Sequence, residues 1–192
     1  MNKLDVLITG DLQRTPEEEA IRPYSTSVLI TSDDGHRTVV DTSAVFMRDE
    51  LVKNLAKLGL KPSDVNTVIL THSHDDHTGN VEIFKKARIL IHSGGNPIPG
   101  AKIADGIVDI AKGISLMGTP GHTPDSMSVM VDIGKTYIIA GDAVPLKDNY
   151  VRNVPPAVNY DVELALDSLK RIVKYADVIV PGHGAPFAVG RR

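Results

Sequence analysis

Short apolar runs separated by turn-forming residues dominate the hydrophobic pattern of the chain. Such runs, rich in Val and Ile and bounded by Gly, Pro, Asn or Asp, are typical of buried β-strands. The turn sequence Asp33-Asp34-Gly35 indicates a hairpin between two of them. The predicted strands are Lys3–Thr9, Ser25–Thr31, Thr38–Val40, Thr67–Leu70, Arg88–Ile91, Ile107–Ile110, Ile114–Met117, Met127–Val131, Tyr137–Ala140 and Val178–Val180.

Helical periodicity is confined to three segments. In Arg48–Leu58 the apolar residues recur at helical spacing, and Gly59 marks the end. Asn80–Lys86 shows a shorter apolar face, whereas Asp161–Ala176 carries the longest apolar stripe and begins with Asp, a favoured N-cap residue. Because short strands outnumber helices and the helices lie between them, we expect two sheets with helices packed outside, which is an α/β sandwich.

The composition narrows the class of protein. With 192 residues, of which 42% are hydrophobic and 23% charged, the chain can form one core, and we expect a single domain over residues 1–192. The absence of Cys excludes disulfides, thiolate metal sites and Cys nucleophiles.

A net charge of −3 argues against general nucleic-acid binding. We see neither a membrane-length apolar run nor a secretory signal at Met1, so we expect a cytoplasmic protein.

Several predicted strands run directly into polar segments that contain His or Asp. If these strand ends converge, they build a polar site on a rigid base. The four segments are Thr71–His77, Gly118–His122, Gly141–Asp142 and Pro181–Gly184.

The first of these segments has the spacing of a metal site. His72 and His74 are two residues apart, so in an extended strand exit both side chains can reach one ion. Once the chain turns, Asp76 and His77 can face a second ion beside the first. Imidazole combined with carboxylate suits Zn²⁺, and also Fe or Mn. Several His and Asp side chains directly after a buried strand cost free energy unless a partner pairs with them.

The sequence His72-x-His74-x-Asp76-His77 resembles the signature of the metallo-β-lactamase superfamily. The later elements follow in that family's order, with a Gly-His at His122, a Gly-Asp at Asp142 and a Pro-Gly-His at His183. Val39-Val40-Asp41-Thr42 resembles the family's early strand, although Ser43 replaces the usual Gly. The resemblance implies a four-layer αββα sandwich, the metallo-β-lactamase fold, with a two-metal site.

The resemblance also implies the metal ligands. The first metal is expected at His72, His74 and His122, and the second at Asp76, His77 and His183, with Asp142 bridging the two. Asp41 is expected to orient one ligand histidine through its other ring nitrogen. The expected cofactor is two Zn²⁺, with Fe or Mn as alternatives.

The resemblance implies hydrolysis by a hydroxide that bridges two metals about 3.5–4 Å apart. Asp76 is expected to be catalytic, because it can also receive or relay a proton. The bond expected to be cleaved is an ester, thioester, lactone or phosphodiester. Two alternatives stay open. One is a persulfide dioxygenase-like oxidoreductase with a single iron at His72, His122 and Asp142, and the other is a metal-bound binding module without turnover.

Comparison with branches of the superfamily narrows the substrate only partly. The chain ends soon after His183, which disfavours the helical extension that binds glutathione thioesters. Lactonases of the family place a Tyr shortly after the bridging Asp, whereas Ala143 follows Asp142 here and the next Tyr is Tyr150. The connecting sequences 58–65 and 119–123 resemble the subgroup called metallo-β-lactamase domain-containing protein 1, which is associated with nuclease activity.

Two Gly- and Pro-rich loops, Ser93–Asp105 and Pro145–Tyr160, are predicted to select the substrate because both flank ligand segments. We expect Lys147 or Arg152 to receive an anionic group of the substrate. A small-molecule substrate is favoured over nucleic acid, no membrane partner is expected, and a homodimer stays open. The candidate contact residues in the second loop are Lys147, Tyr150, Arg152 and Tyr160.

Overall fold

Two six-stranded mixed sheets form the centre of the protein in the computed structural model, which describes residues 1–15, 17, 20–104 and 108–190. The first sheet has the order β1-β4-β5-β6-β7-β8 and the second β14-β13-β12-β11-β10-β9. The strands of the first sheet are β1 Lys3–Ile8, β4 Ser27–Thr31, β5 Arg37–Val40, β6 Thr67–Ile69, β7 Arg88–Ile91 and β8 Lys102–Ile103. Those of the second are β9 Val108–Ala111, β10 Ile114–Gly118, β11 Met127–Asp132, β12 Thr136–Gly141, β13 Val178–Pro181 and β14 Phe187–Ala188.

The described structure also contains a separate two-stranded hairpin, four α-helices and three short 3₁₀ helices. Strands β2 and β3 pair antiparallel beside the two main sheets. The longest helix begins after Asp161, whose carboxylate accepts a hydrogen bond from the backbone N–H of Leu164 at 3.0 Å. The hairpin strands are β2 Asp11–Arg14 and β3 Ala20–Tyr24, and the helices are α1 Arg48–Lys57, α2 Asp75–Thr78, α3 Lys147–Arg152 and α4 Val162–Tyr175.

The buried side chains divide into three apolar layers, which define a four-layer αββα sandwich. Alternate strand residues point to opposite faces of a sheet. Thus Val40 and Ile139 fill the layer between the two sheets. Val39 instead packs towards α1 on the outside of the first sheet, and Ile138 packs towards α4 on the outside of the second. This arrangement confirms the predicted α/β class and the αββα order.

Most predicted elements are observed within one or two residues of their expected bounds. The strands missed by sequence are β2, β3, β8 and β14, which are short or lie at sheet edges. The predicted strand Ile107–Ile110 is observed as β9, and Ile107 lies outside the described residues, as does Asp105 of the first predicted loop.

The predicted helix Asn80–Lys86 is wrong, because only a single 3₁₀ turn forms at Val81–Ile83. The buried side-chain amide of Asn80 donates to the backbone carbonyls of Thr42 and Ala44, at 2.9 and 2.8 Å. These bonds fix the chain at the start of the segment, and Phe84 is already buried one turn later. The apolar residues therefore reach the core without a longer helix.

The segment Pro145–Tyr160 is not entirely a loop, because it contains α3. The side chain of Asn149 explains this helix. Its carbonyl accepts from the N–H of Leu146, and its amide donates to the carbonyls of Val154 and Pro155. One polar side chain thus closes both ends of a six-residue helix.

No helix among the described residues is long and apolar enough to cross a membrane. The expected single domain, the cytoplasmic location and the homodimer stay predictions.

The N-cap of α4 gives a test of the fold. We expect Asp161→Ala to lower the free energy of unfolding by about 1 kcal/mol, because the first turn of α4 loses its side-chain acceptor. Asp167→Ala, an exposed change in the same helix, should cost less. Urea denaturation of the two variants measures the difference, and equal losses would contradict the capping role.

Candidate metal centre

The polar segments that follow the strands meet at one end of the sandwich. Strands β5 and β6 are parallel in one sheet, as are β12 and β13 in the other, so the carboxyl ends of each pair lie together. His72 follows β6, Asp142 follows β12 and His183 follows β13. His122 lies in the loop between β10 and β11, and His77 lies on α2.

Three histidines form the first group. The Nδ1 atom of His74 lies 3.0 Å from Nε2 of His72 and 3.1 Å from Nε2 of His122. All three nitrogen atoms lie within 4.8 Å of one another. His72 and His122 are buried, whereas His74 is exposed, so the group opens to solvent on one side.

Asp76, His77 and His183 form a second group beside the first. Oδ2 of Asp76 lies 3.5 Å from Nε2 of His183 and 4.0 Å from Nε2 of His77. The ligand atoms of this group also lie within 4.8 Å of one another. Both histidines are buried and the side chain of Asp76 is partly exposed.

Asp142 lies between the two groups and faces each with a different oxygen. Oδ1 lies 3.3 Å from Nε2 of His77 and 3.3 Å from Nε2 of His183. Oδ2 lies 3.6 Å from Nε2 of His122. Asp142 is therefore placed where one carboxylate could contact two neighbouring ions.

Oxygen acceptors outside the cluster orient at least three of the five imidazoles. Nδ1 of His77 donates to Oδ2 of Asp41 at 2.8 Å. Nδ1 of His122 donates to the carbonyl of Val158 at 2.8 Å, and Nδ1 of His183 donates to the carbonyl of Tyr24 at 2.9 Å. With the proton on Nδ1, the lone pair of each Nε2 points into the cluster, as metal binding requires.

The carboxylate of Asp41 lies beneath the cluster and accepts three hydrogen bonds. Besides His77, it accepts from the backbone N–H of Thr71 at 2.7 Å and from its hydroxyl at 2.8 Å. Asp41 and Thr71 are both buried. Asp41 thus ties the end of β5 to the end of β6 and to α2, which fixes the base of the site.

Two buried atoms in the cluster have no hydrogen-bond partner among the described residues, namely Nε2 of His77 and Oδ1 of Asp142. They approach to 3.3 Å without adopting hydrogen-bond geometry. A buried polar atom without a partner is costly and needs an explanation. Both atoms are of types that bind divalent metals, so these residues fit a metal centre.

Four histidines of the cluster fall into two groups, one with a lowered and one with a raised pKa. Burial lowers the pKa of His72 well below its ordinary value, and burial also lowers the pKa of His74. Burial opposes the charged form of His77 too, but the carboxylates of Asp41 and Asp142 outweigh it and raise the pKa of His77 well above its ordinary value. Asp142 likewise overcomes burial to raise the pKa of His183.

The carboxyl group of Asp142 responds in the opposite direction. Its burial favours the neutral acid, but the nearby imidazoles of His183 and His77 outweigh that effect and hold the pKa of Asp142 well below its ordinary value. Asp142 is therefore ionised, as a metal ligand must be.

The structure brings together all seven residues that the sequence suggested as ligands, and it places Asp41 on His77. The other two histidines lie outside the cluster: Nδ1 of His92 accepts from the N–H of Gly94, and His36 lies beside Thr67. Whether the seven residues bind metal stays a prediction. They are His72, His74, Asp76, His77, His122, Asp142 and His183.

Sequence reasoning missed several supporting residues. The carbonyls of Tyr24 and Val158 carry no signal in a sequence, because every residue has one. Asp125 was not considered, yet it is buried and accepts from the N–H of Ser73 at 2.9 Å, which fixes the chain between His72 and His74. The position of this Asp, three residues after His122, is a signal in the sequence that could have indicated the role.

Comparison with known proteins identifies the family of the chain. The family model described as "Metallo-beta-lactamase superfamily" matches residues 20–94 and 91–183. A Methanocaldococcus jannaschii protein named as a probable metallo-hydrolase is 40% identical, with 76% of this chain and 70% of that protein covered. Metallo-beta-lactamase domain-containing protein 1 of Xenopus laevis is 35% identical, with 83% of this chain and 72% of that protein covered.

An N-acyl homoserine lactonase of Bacillus cereus is 30% identical over 70% of this chain and 62% of its own length. The chain therefore belongs to the metallo-beta-lactamase superfamily. Within it, the chain is an enzyme of the hydrolase class, the class in which these relatives are named.

Solved structures show the same fold. A metallo-beta-lactamase-like protein of Thermotoga maritima aligns with a TM-score of 0.78 at 22% identity, covering 97% of this chain and 99% of its own. A dizinc quorum-quenching lactonase, AidC, solved with the product N-hexanoyl-L-homoserine, aligns with a TM-score of 0.65 at 19% identity, covering 78% and 67%.

Removal of the Asp41 carboxylate tests the base of the site. We expect Asp41→Ala to lower the free energy of unfolding of the metal-free protein by about 2–4 kcal/mol, because three buried donors lose their acceptor. Asp75→Ala, which removes an exposed carboxylate in the first turn of α2, is the control. Chemical denaturation provides the measurement. Equal effects of the two changes would show that Asp41 does not hold the site together.

The raised pKa values predict how metal binding depends on pH. An ordinary imidazole has a pKa of about 6.5, and the pKa values of His77 and His183 are raised above it. These two side chains therefore stay protonated to a higher pH, and a metal ion must displace their protons in order to bind. Affinity should therefore fall as pH decreases, already above pH 6.5, by about tenfold per pH unit for each proton displaced. Competition with a chromophoric chelator measures this. An affinity that stays constant between about pH 6 and 7.5 would contradict the assignment.

Proposed function

We propose that this protein is a dinuclear metal-dependent hydrolase. The observation that carries the proposal is the arrangement of ligand atoms in three overlapping groups. His72, His74 and His122 would hold one ion, and Asp76, His77 and His183 the other. Asp142 would contact both, since its two oxygens face different groups.

Zinc is the metal that this donor set suits best. Imidazole nitrogen and carboxylate oxygen are ordinary zinc ligands, and the chain contains no Cys that would favour a softer metal. The dizinc lactonase with the same fold supports this choice. Iron and manganese accept the same ligands and are the alternatives.

Two divalent ions held there would supply a deprotonated water as the nucleophile and would polarise the bond to be cleaved. The protein itself supplies the rigid frame for this chemistry. Asp76 is suited to move a proton, because its short approaches to His77 and His183 both use Oδ2. Its side chain is partly exposed, so Oδ1 can accept a proton next to the substrate.

We infer a small-molecule carboxylic ester, lactone or thioester as the substrate class. The lactonase relative supports this class. The tyrosine that lactonases of the family place after the bridging aspartate has no equivalent here. Ala143 and Val144 are buried apolar residues, and Tyr150 packs on Phe187 with its hydroxyl accepting from the N–H of Gly190. A phosphodiester is the alternative, which the same two-metal arrangement could also cleave.

The first test is the metal content of protein purified without added metal, measured by mass spectrometry. We expect about two zinc ions per chain. His183→Ala should lower the content, whereas His36→Ala, a histidine outside the cluster, should not. One iron per chain that His183→Ala leaves in place would instead favour the mononuclear oxidoreductase.

Hydrolysis is tested on the same variants. Metal-loaded protein should cleave at least one member of a panel of aryl esters, thioesters, lactones and phosphodiesters. We expect His72→Ala and Asp76→Ala to reduce kcat/KM by about 10²-fold or more, because each removes a metal ligand and Asp76 also a proton acceptor. Full activity in either variant would refute the assignment. Two bound metals without turnover of any substrate would favour a binding module.

A further inference from the structure

The four side chains suggested as substrate contacts in the second predicted loop do not reach the ligand cluster. Lys147 lies over the ring of Phe187, at 5.9 Å from its centre, and Tyr150 packs against the same ring. Arg152 and Tyr160 are exposed. Among the described residues, none of the four side chains forms a hydrogen bond or an ion pair with a candidate ligand. The expectation that Lys147 or Arg152 receives an anionic group of the substrate therefore stays a prediction.

Asp125, by contrast, is a buried carboxylate outside the cluster that does reach the ligand segments. It is 2% exposed, although it lies in the loop between β10 and β11. Its Oδ2 accepts a hydrogen bond from the backbone N–H of Ser73 at 2.9 Å. A hydrogen bond to a carboxylate is charge-assisted and stronger than a neutral one. Asp125 therefore ties the loop that carries His122 to the segment that carries His72 and His74.

The position of His74 depends on its backbone, because its ring has no oxygen acceptor. Among the described residues, the His74 imidazole contacts only other imidazoles by hydrogen-bond distance. Its carbonyl accepts from the N–H groups of His77 and Thr78 at 3.0 and 3.1 Å, which fixes the chain after His74. The bond from Ser73 to Asp125 fixes the chain before it. These two backbone anchors therefore determine where the His74 imidazole lies.

The second group of ligands is held by other contacts. Nδ1 of His77 donates to the carboxylate of Asp41, and Nδ1 of His183 donates to the carbonyl of Tyr24. Neither hydrogen bond uses the loop between β10 and β11. Loss of the Asp125 carboxylate should therefore act on the first group of histidines and leave the second group in place.

Gly95 lies directly against the Asp125 carboxylate. A Cβ atom at this position would overlap Oδ2 of Asp125 and would lie 3.0 Å from Oγ of Ser73. The next residue, Asn96, donates its backbone N–H to the same Oγ at 3.0 Å. The segment 94–96 thus packs over the bond between Ser73 and Asp125, and the absence of a side chain at Gly95 allows this close approach.

We propose that Asp125 is a positioning residue for the metal ion expected at the first group of histidines. Its carboxylate acts through the backbone N–H of Ser73 and sets where His74 meets the other two imidazoles. Gly95 allows the chain to close over this bond. The inference rests on the proposed dinuclear function and assigns one buried carboxylate to one of its two sites. Removal of a residue that supports a metal ligand commonly lowers metal affinity by about 10- to 100-fold.

The test is competition for Zn²⁺ between the protein and a chromophoric chelator, which measures the affinities of the two sites. Asp125→Ala should lower one affinity by about 10- to 100-fold and leave the other nearly unchanged. Asp125→Asn keeps a side-chain oxygen for the N–H of Ser73 and should recover most of the loss. The matched control is Asp64→Ala, which removes a carboxylate that accepts from the N–H of Lys61 before β6, at the opposite end of that strand from the cluster.

Single-site variants show which ion is affected. In the His183→Ala protein, which lacks a ligand of the second group, Asp125→Ala should still lower the affinity of the remaining site. In the His74→Ala protein the ligand that Asp125 positions is already gone, so Asp125→Ala should have little further effect. Equal effects in the two backgrounds would overturn the proposal, because a general loss of structure would weaken both sites.

Gly95→Ala is a second variant, which leaves the carboxylate in the chain and also serves if Asp125→Ala fails to fold. The added methyl group should displace the Asp125 carboxylate and lower the affinity of the same site. Gly94→Ala is its control, because a Cβ atom there would lie 3.3 Å from the nearest atom outside its chain neighbours. Equal affinities of the Gly95→Ala and Gly94→Ala proteins would contradict the role of Gly95.

The outcomes separate this inference from the proposed function. If two ions bind and Asp125→Ala lowers neither affinity, or lowers both equally, the positioning role fails and the dinuclear centre stands. If only one ion binds, and its affinity falls in both the His74→Ala and the Asp125→Ala proteins, the dinuclear centre fails and the positioning role stands.

Discussion

The concentration of imidazole and carboxylate groups at one end of the sandwich is the constraint on which the rest of the structure depends. Asp142 lies 3.3 Å from two imidazole nitrogens, and two atoms of the cluster are buried without a partner. Such an arrangement is costly without a cation to satisfy it. The buried carboxylate of Asp41 holds the cluster from below, where it accepts from Thr71 and His77.

The central strands and the peripheral segments support the site in different ways. The ligand segments follow central strands whose side chains are fully buried, such as Ile69 and Val180, so their positions are fixed by both sheets. The β2–β3 hairpin and the segment after α3 instead contact the cluster through backbone carbonyls, those of Tyr24 and Val158. Because every residue has a carbonyl group, side chains in these two segments can vary while the imidazoles keep their acceptors.

The sequence predicted the sandwich and the cluster because both leave strong patterns. Buried strands such as Val178–Pro181 are continuous apolar runs, and the spacing from His72 to His77 is distinctive. The contacts that support the cluster were harder to predict from the sequence. The short helix α3 depends on one amide, that of Asn149, and the edge strands are too short for a periodic signal. The positions of Lys147 and Tyr150 depend on tertiary packing against Phe187, which no local pattern reveals.

The most direct test of a dinuclear centre is a crystal structure of the metal-loaded protein with anomalous difference density recorded at the zinc absorption edge. We expect two peaks about 3.5–4 Å apart, one against His72, His74 and His122 and the other against Asp76, His77 and His183, with Asp142 in contact with both. A single peak bound by His72, His122 and Asp142, or no peak at the cluster, would contradict the two-metal assignment.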